Sequence, residues 1–250
     1  MLNYTIHRLE TCASTNDEAK KRAREDAPAG TVVIADEQTG GRATKGRRWF
    51  SPRGTGLYVS VVLRPEMDVS LSLLPMAAGL AAREAVERTT GVPVKMRWPN
   101  DIVWEGKKLG GVLCESGLSG FQLRYAIVGV GLNLNQNEND FPEDLRPLAG
   151  SLLQAAGGII DRETLFGAFL EELEAAVAPL VEKRPSDVVE DFLRHSEAGL
   201  GDSITVQTAS GGVSGLFEGL DPDGSIRIFT PGGERRFIST EIVSFGLAPK

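Results

Sequence analysis

The chain has 250 residues, 41% hydrophobic and 24% charged, with a formal net charge of -7. That length allows one large folded unit or a large and a small one, and the composition is that of an ordinary globular protein. The acidic balance argues against broad nucleic-acid binding, no apolar run approaches a membrane span, and the start shows no secretory pattern, so a cytoplasmic protein is expected.

Leu2 to Leu9 reads as a first strand. Thr15 with Glu18 has the form of a capping box, which predicts a helix from near Asn16 that stops before Pro28. Ser14, Thr15 and Asn16 either cap that helix or bind a polar, uncharged ligand group, and the pattern leaves both open. Two cysteines, Cys12 and Cys114, lack CxxC spacing and read as buried thiols of a reducing compartment.

Thr31 to Ala35 is a buried-type strand, with Gln38 just beyond its end. From Thr39 to Arg53 there are five cationic side chains and no acidic one, interleaved with glycines. Glycine lets a backbone approach a ligand closely, and arginine forks match phosphate or carboxylate oxygens. Gly41-x4-Gly46 has P-loop spacing, but Arg47-Arg48 stands where Lys-Ser/Thr belongs. No helix follows; Leu57 to Leu63 is a strand candidate. An anion here would be held by cations and loop N–H groups, as in a mobile clamp.

Leu71 to Thr90 has apolar residues at helical spacing, with Pro75 in its first turn and Gly91 after its end. Val94 to Glu115 reads as strand, Pro99-Asn100-Asp101 turn, strand, tight Glu105-Gly106 turn and strand. Gly110-Gly111 within the last of these suggests close approach by a ligand or another backbone. Phe121 to Leu134 is an apolar strand with small residues at alternate positions, ending near Asn133. Asp161 to Leu180 and Ser186 to His195 are amphipathic helices. After Gly199 the character changes to short strands between Gly, Asp and Pro turns, which predicts a small all-β barrel and a boundary at residue 199. His7 and His195 stand alone, so no residue is read as a ligand of a resident metal.

Five ordered motifs carry a resemblance. Ser14-Thr15-Asn16, Gln38-Thr39-x-Gly41-Arg42-x3-Gly46-Arg47-x-Trp49, Trp98-Pro99-Asn100-Asp101, Lys108-Leu109-Gly110-Gly111 and Gly129-x-Gly131-x-Asn133 together resemble the biotin protein ligases, nearly end to end. The resemblance implies an α+β fold: a mixed-sheet catalytic domain related to class II synthetases over residues 1-199, and an SH3-like β-barrel over residues 200-250. It implies an enzyme that joins biotin to ATP as biotinyl-5′-adenylate and passes biotin to a lysine of a biotin carboxyl carrier protein domain. Neither nucleic acid nor membrane is an implied partner, and a homodimer is left open.

By the same resemblance, Ser14, Thr15, Asn16 and Gln38 face the ureido ring, with Gly41, Arg42, Ala43, Thr44, Lys108 and Gly111 completing the biotin site. Lys108 stands between the biotin carboxylate and the α-phosphate, Arg42 closes over the adenylate, and Asp101 is the candidate that helps deprotonate the attacking amine. Lys45 and Arg47 hold the β- and γ-phosphates, with Mg²⁺ bridging them, and Trp49, Asn100 and Asn133 belong to the adenylate site. The family loop reads Gly-Arg-Gly-Arg, whereas this chain reads Gly41-Arg42-Ala43-Thr44, so a charge-assisted hold on the adenylate is lost unless Lys45 replaces it. Ordering about ten loop residues costs on the order of 10 kcal/mol, so Gly40 to Trp49 is expected to be poorly ordered without ligand. The rival readings are a lipoate ligase of the same architecture, which would want a longer apolar pocket, and a biotin-responsive repressor, which would want a helix-turn-helix that does not fit ahead of Ser14.

Overall fold

The structure, a computed structural model, describes residues 2–65, 70–120, 122–239 and 242–247. In chain order its elements are β1 (Thr5–Cys12), α1 (Thr15–Arg24), β2 (Thr31–Gln38), β3 (Gly56–Leu63), α2 (Leu74–Thr90), β4 (Lys95–Arg97), β5 (Asp101–Trp104), β6 (Lys107–Ser119) and β7 (Gln122–Asn133). Three helices follow, α3 (Leu152–Ala156), α4 (Arg162–Val181) and α5 (Pro185–Arg194). The chain then enters β8 (Ser203–Thr208), β9 (Gly211–Leu220), β10 (Ile226–Thr230), β11 (Gly233–Phe237) and β12 (Ile242–Leu247).

The first seven strands form one mixed sheet in the order β1-β2-β3-β7-β6-β5-β4. β1 runs parallel to β2 and the other neighbours are antiparallel. β3 is buried along its whole length because both faces of the sheet are covered. On one face Val59, Val61, Val128, Val130 and Leu132 join the main core with α2 and α4. On the other, Val62, Tyr125 and Ile127 pack under Ala19 and Ala23 of α1.

Because side chains alternate across a strand, the row next to that second cluster can be followed from register alone. Ser60 pairs with Gly129, and Gly129 with Leu113; one step further along, Tyr58 pairs with Gly131 and Gly131 with Gly111. Here α1 begins, and the sheet beneath its first residues is glycine at positions 111, 129 and 131. A hollow results.

Several sequence expectations shift. The first strand starts at Thr5 and runs to Cys12, since pairing with Thr31–Gln38 sets its limits. α1 begins at Thr15 and the expected capping box does not form: Ser14 is the N-cap, with extended backbone and no side-chain cap bond. The helix expected from Leu71 opens as one 3₁₀ turn, Leu71–Leu73, before α2 begins. The tight turn at Glu105-Gly106 forms with positive φ at both residues. α3 was missed, being too short for periodicity to show. Phe121, given to the strand from sequence, lies outside the described residues.

The C-terminal strands form a second, antiparallel sheet in the order β11-β10-β9-β8-β12. Its ladder ends at β11 and β12, so the barrel expected from sequence appears as an open five-stranded sheet. Its inner residues Ile204, Phe217, Ile226 and Ile228 belong to the same apolar cluster as α2 and the central sheet. Trp98 Nε1 donates to Gly224 O at 2.9 Å across the join. Among the described residues no helix is long and apolar enough to cross a membrane.

Candidate active site

The hollow beside α1 is closed by three pieces of chain: the start of α1, the β5–β6 hairpin and the glycine-rich segment after β2. Its floor is glycine. A methyl group on Gly129 would collide with Asn16 Oδ1, and one on Gly131 with the Trp49 indole. The alternate small residues of β7 are therefore a steric requirement, and any side chain added there would fill the site.

Ser14, Thr15 and Asn16 are almost fully buried. Thr15 and Asn16 turn toward the sheet. Thr15 donates from N and Oγ1 to Gln38 Oε1 at 2.8 and 3.1 Å. Ser60 Oγ lies 2.8 Å from Thr15 Oγ1 and 2.6 Å from Asn16 Oδ1, its single proton serving one of them. Asn16 Nδ2 donates to Leu113 O at 3.2 Å and to Glu115 Oε2 at 2.8 Å. Gln38 Nε2 donates to Ser51 Oγ at 2.9 Å, which fixes its amide orientation. Ser60, the one polar residue in the apolar run Leu57–Leu63, was overlooked from sequence; that anomaly was the signal.

The segment after β2 folds back on itself. Trp49 N donates to Gly41 O at 2.9 Å and Ala43 N to Arg47 O at 2.8 Å, enclosing one 3₁₀ turn, Thr44–Gly46, with Lys45 at φ 61°. Gly41 is packed against Trp49 O and Ser51 Oγ, where a Cβ would not fit. Arg42 leaves the turn toward α1 and lies 2.7 Å from Asp17 Oδ1 and 2.9 Å from Glu115 Oε2. Arg47 donates to Thr44 O and Oγ1 at 3.4 and 3.3 Å. Burial, then the charge of Arg47, hold the Lys45 amine below its usual pKa.

Lys108 stands at the start of β6, its Nζ 2.5 Å from Asp101 Oδ1 and 5.5 Å above the Trp49 ring. Gly111 keeps the space that this ion pair occupies, since a Cβ there would sit 3.2 Å from Asp101 Oδ1 and from Lys108 Nζ. Asn100, in the turn after the cis Trp98–Pro99 bond, is buried and donates to Val112 O at 2.5 Å. Its amide braces the hairpin as well as bordering the hollow. Asp101, weighed from sequence as a turn former, spends its carboxylate on Lys108.

Of the residues singled out from sequence, Ser14, Thr15, Asn16, Gln38, Arg42, Ala43, Thr44, Trp49, Asn100, Lys108 and Gly111 border this one hollow. Lys45, Arg47 and Asp101 border a larger neighbouring cleft of about 600 Å³ that reaches Trp98 and Phe245. Asn133 lies apart: it donates to Gly150 O at 2.9 Å and borders a third cavity of about 180 Å³ with Phe141 and Leu145. Lys108 borders all three spaces.

The chemistry offered is therefore graded. The inner end presents uncharged hydroxyl and amide groups, and the outer end presents the cations Lys108, Arg42, Lys45 and Arg47. That suits a ligand with a neutral polar head and an anionic tail meeting a second, polyanionic molecule. The inner hollow as it stands has only about 40 Å³ of free space, against several hundred for a typical ligand site, so the segment from Gly40 to Trp49 has to move to admit one. Neither cysteine offers a nucleophile: burial raises the Cys12 thiol to about 11 and pushes Cys114 up as well.

A family model for the biotin/lipoate A/B protein ligase family matches residues 9–133. The bifunctional ligase/repressor BirA of Bacillus subtilis is 34% identical over 235 residues, spanning 93% of this chain and 72% of that protein. The biotin–[acetyl-CoA-carboxylase] ligase of Paracoccus denitrificans is 30% identical over 245 residues, spanning 93% of this chain and 97% of its own. Among solved structures, a biotin protein ligase from Aquifex aeolicus in complex with biotin and ATP superposes with a TM-score of 0.84 at 30% identity, covering 98% of this chain and 99% of that one.

Proposed function

Because the chain belongs to the biotin/lipoate A/B protein ligase family, we propose that its hollow joins biotin to ATP and delivers the biotinyl group to a lysine of a biotin carboxyl carrier protein. The observation that carries this reading is the meeting at Lys108 of a small uncharged pocket and two cation-lined spaces. A neutral cyclic urea needs donors and acceptors without charge, and Ser14, Thr15, Asn16 and Gln38 supply them.

In the first half-reaction a biotin carboxylate oxygen attacks the α-phosphorus of ATP, the bond to the β-phosphate oxygen breaks, and pyrophosphate leaves. Two anions must approach, and Lys108 lies where it offsets their repulsion and the charge gathering on the phosphoryl oxygens. Arg42 closes over the mixed anhydride, while Lys45 and Arg47, facing the outer cleft, hold the departing phosphates. Mg²⁺ would enter as part of MgATP, where it would offset charge on the phosphates. Trp49 packs over the adenylate, and Asn133, in the adjoining cavity with Phe141, faces the base.

In the second half-reaction a carrier lysine attacks the acyl carbon, the carbon–oxygen bond to AMP breaks, and the amine loses a proton. An ordinary lysine with pKa near 10.4 is neutral in about one molecule in 2,500 at pH 7, a handicap of roughly 4.6 kcal/mol. Asp101 Oδ1, once Lys108 turns to the phosphate, becomes a carboxylate beside the attacked carbonyl that orients the amine and accepts its proton. Residues 1–199 form the catalytic unit in this reading, and 200–250 an SH3-like module against it, closing one side of the outer cleft through Phe245. The protein works in the cytoplasm, where biotin, ATP and the carrier meet.

The direct test incubates the protein with radiolabelled biotin, MgATP and a carrier domain, with lipoate as competitor. Covalent label on the carrier is expected; label from lipoate at equal rate would favour the rival ligase. Gly129→Ala is expected to displace Asn16 and lower kcat/KM for biotin by about 100-fold, mostly through KM, because a shift near 1 Å in a positioning group costs that much. An unchanged biotin KM would remove Asn16 from the binding site. Trypsin is expected to cut the free protein after Lys45, Arg47 or Arg48, and biotin with a non-hydrolysable ATP analogue should slow that cleavage about tenfold. Cleavage indifferent to ligand would mean the segment does not close.

A further inference from the structure

Glu115 was not singled out from sequence, yet its carboxylate makes three contacts that tie the floor of the site to its moving wall. Oε2 accepts from Asn16 Nδ2 at 2.8 Å and lies 2.9 Å from Arg42 Nη2, while Oε1 lies 2.9 Å from Lys20 Nζ. Asp17 Oδ1 completes the set, 2.7 Å from Arg42 Nη2 and 3.0 Å from Lys20 Nζ. The four charges form a closed square of alternating sign: Glu115, Arg42, Asp17, Lys20. Three corners are anchored, one on β6 and two on α1. Only Arg42 belongs to the segment that has to open and close.

We infer that Glu115 is a positioning residue: it holds Arg42 by a single nitrogen in the closed arrangement, so that the rest of the guanidinium is presented to the adenylate. Both contacts to carboxylates use Nη2, and among the described residues Nε and Nη1 have no partner. An arginine held by one nitrogen keeps N–H donors for a second anion. With Arg42 in place the square is neutral; without it Glu115, Asp17 and Lys20 carry a net −1, which draws the guanidinium back to the closed arrangement. Because the same oxygen that holds Arg42 also orients Asn16, occupancy of the inner pocket and closure of the outer segment are mechanically joined at Glu115.

The inference rests on the adenylate-forming reading, and a double-mutant cycle separates the two. Biotinyl adenylate is formed on the protein from labelled biotin and MgATP, and its release is followed in wild type, Glu115→Gln, Arg42→Ala and the double variant. Gln keeps an oxygen for Asn16 Nδ2 but lacks the charge that holds Arg42, so release should speed up about tenfold with the biotin KM nearly unchanged. In the Arg42→Ala background the same substitution should change release by less than about twofold. Equal effects in both backgrounds, or none in either, would overturn the positioning role and leave the enzyme reading intact. A wild-type protein that forms no adenylate would overturn both. If Glu115→Gln melts far below wild type, Glu115→Asp, which keeps the charge but withdraws it by one methylene, takes its place and should give a smaller rise in release that again vanishes without Arg42.

Discussion

Lys108→Ala is expected to lower adenylate formation by about 10²–10³-fold, the effect of removing one preorganised charge from the point where charge develops in a transition state. The ammonium lies 2.5 Å from Asp101 and borders the inner hollow as well as both outer spaces, which no other cation among the described residues does. The loss should fall on kcat more than on the KM for biotin, because the groups proposed to hold the urea, Ser14, Thr15, Asn16 and Gln38, are other residues of the hollow and stay in place. Stability should change little. The Lys108 and Asp101 side chains are 25% and 22% exposed, so water screens the abandoned carboxylate and the penalty stays near ~1 kcal/mol. Pyrophosphate exchange measures the first half-reaction directly, and a melting curve checks the fold. A folded Lys108→Ala protein that exchanges pyrophosphate at the wild-type rate would show that this side chain is not where the carboxylate meets the nucleotide.

Thr44→Arg is expected to slow release of the adenylate by about 10- to 100-fold. Family members carry a second arginine here, and one charge-assisted hydrogen bond contributes about 1.5–3 kcal/mol. In this chain Thr44 instead receives Arg47, whose guanidinium lies 3.3 Å from Thr44 Oγ1. Lys45, with its amine held below the usual range by burial and by Arg47, is a weaker substitute at high pH than a permanently charged arginine. Release from the wild-type protein should therefore quicken as pH rises toward the Lys45 pKa, while release from Thr44→Arg should stay flat over the same range. Absence of any slowing in Thr44→Arg would mean that Lys45 and Arg47 already hold the intermediate as well as the usual pair does.

The sequence made some of this visible and hid the rest for identifiable reasons. The strands and turns from Val94 to Glu115 were legible because turn chemistry is local: Glu105 and Gly106 take the positive φ that a tight turn needs. The glycines of β7 were legible as small residues at alternate positions, though not what approaches them; Asn16 and Trp49 come from 113 and 82 residues away, taking 129 − 16 and 131 − 49. Ser14-Thr15-Asn16 could be read as a cap or as a binding group, and only the partners Gln38 and Ser60, on two different strands, show that Thr15 and Asn16 spend their side chains on the sheet and not on the helix end. Glu115 stood in the sequence only as the last residue of the Val94–Glu115 stretch. Its role depends on α1 passing over β6, which no window of sequence reports. Asn133 sits at the end of its strand as expected but turns to Gly150, a residue in a connection too irregular to place in advance.

The bare strip formed by Gly111, Gly129 and Gly131 sets the terms on which this pocket can be retooled. An enzyme whose cavity is carved by bulky walls can be widened by trimming them. Here the wall beneath the ligand is already backbone, so nothing remains to trim, and every substitution there makes the space shallower. Acceptance of larger acids has to be sought in the side chains beside the strip, such as Leu113 next to Gly129, while the same three positions are the direct route to a variant restricted to smaller ones.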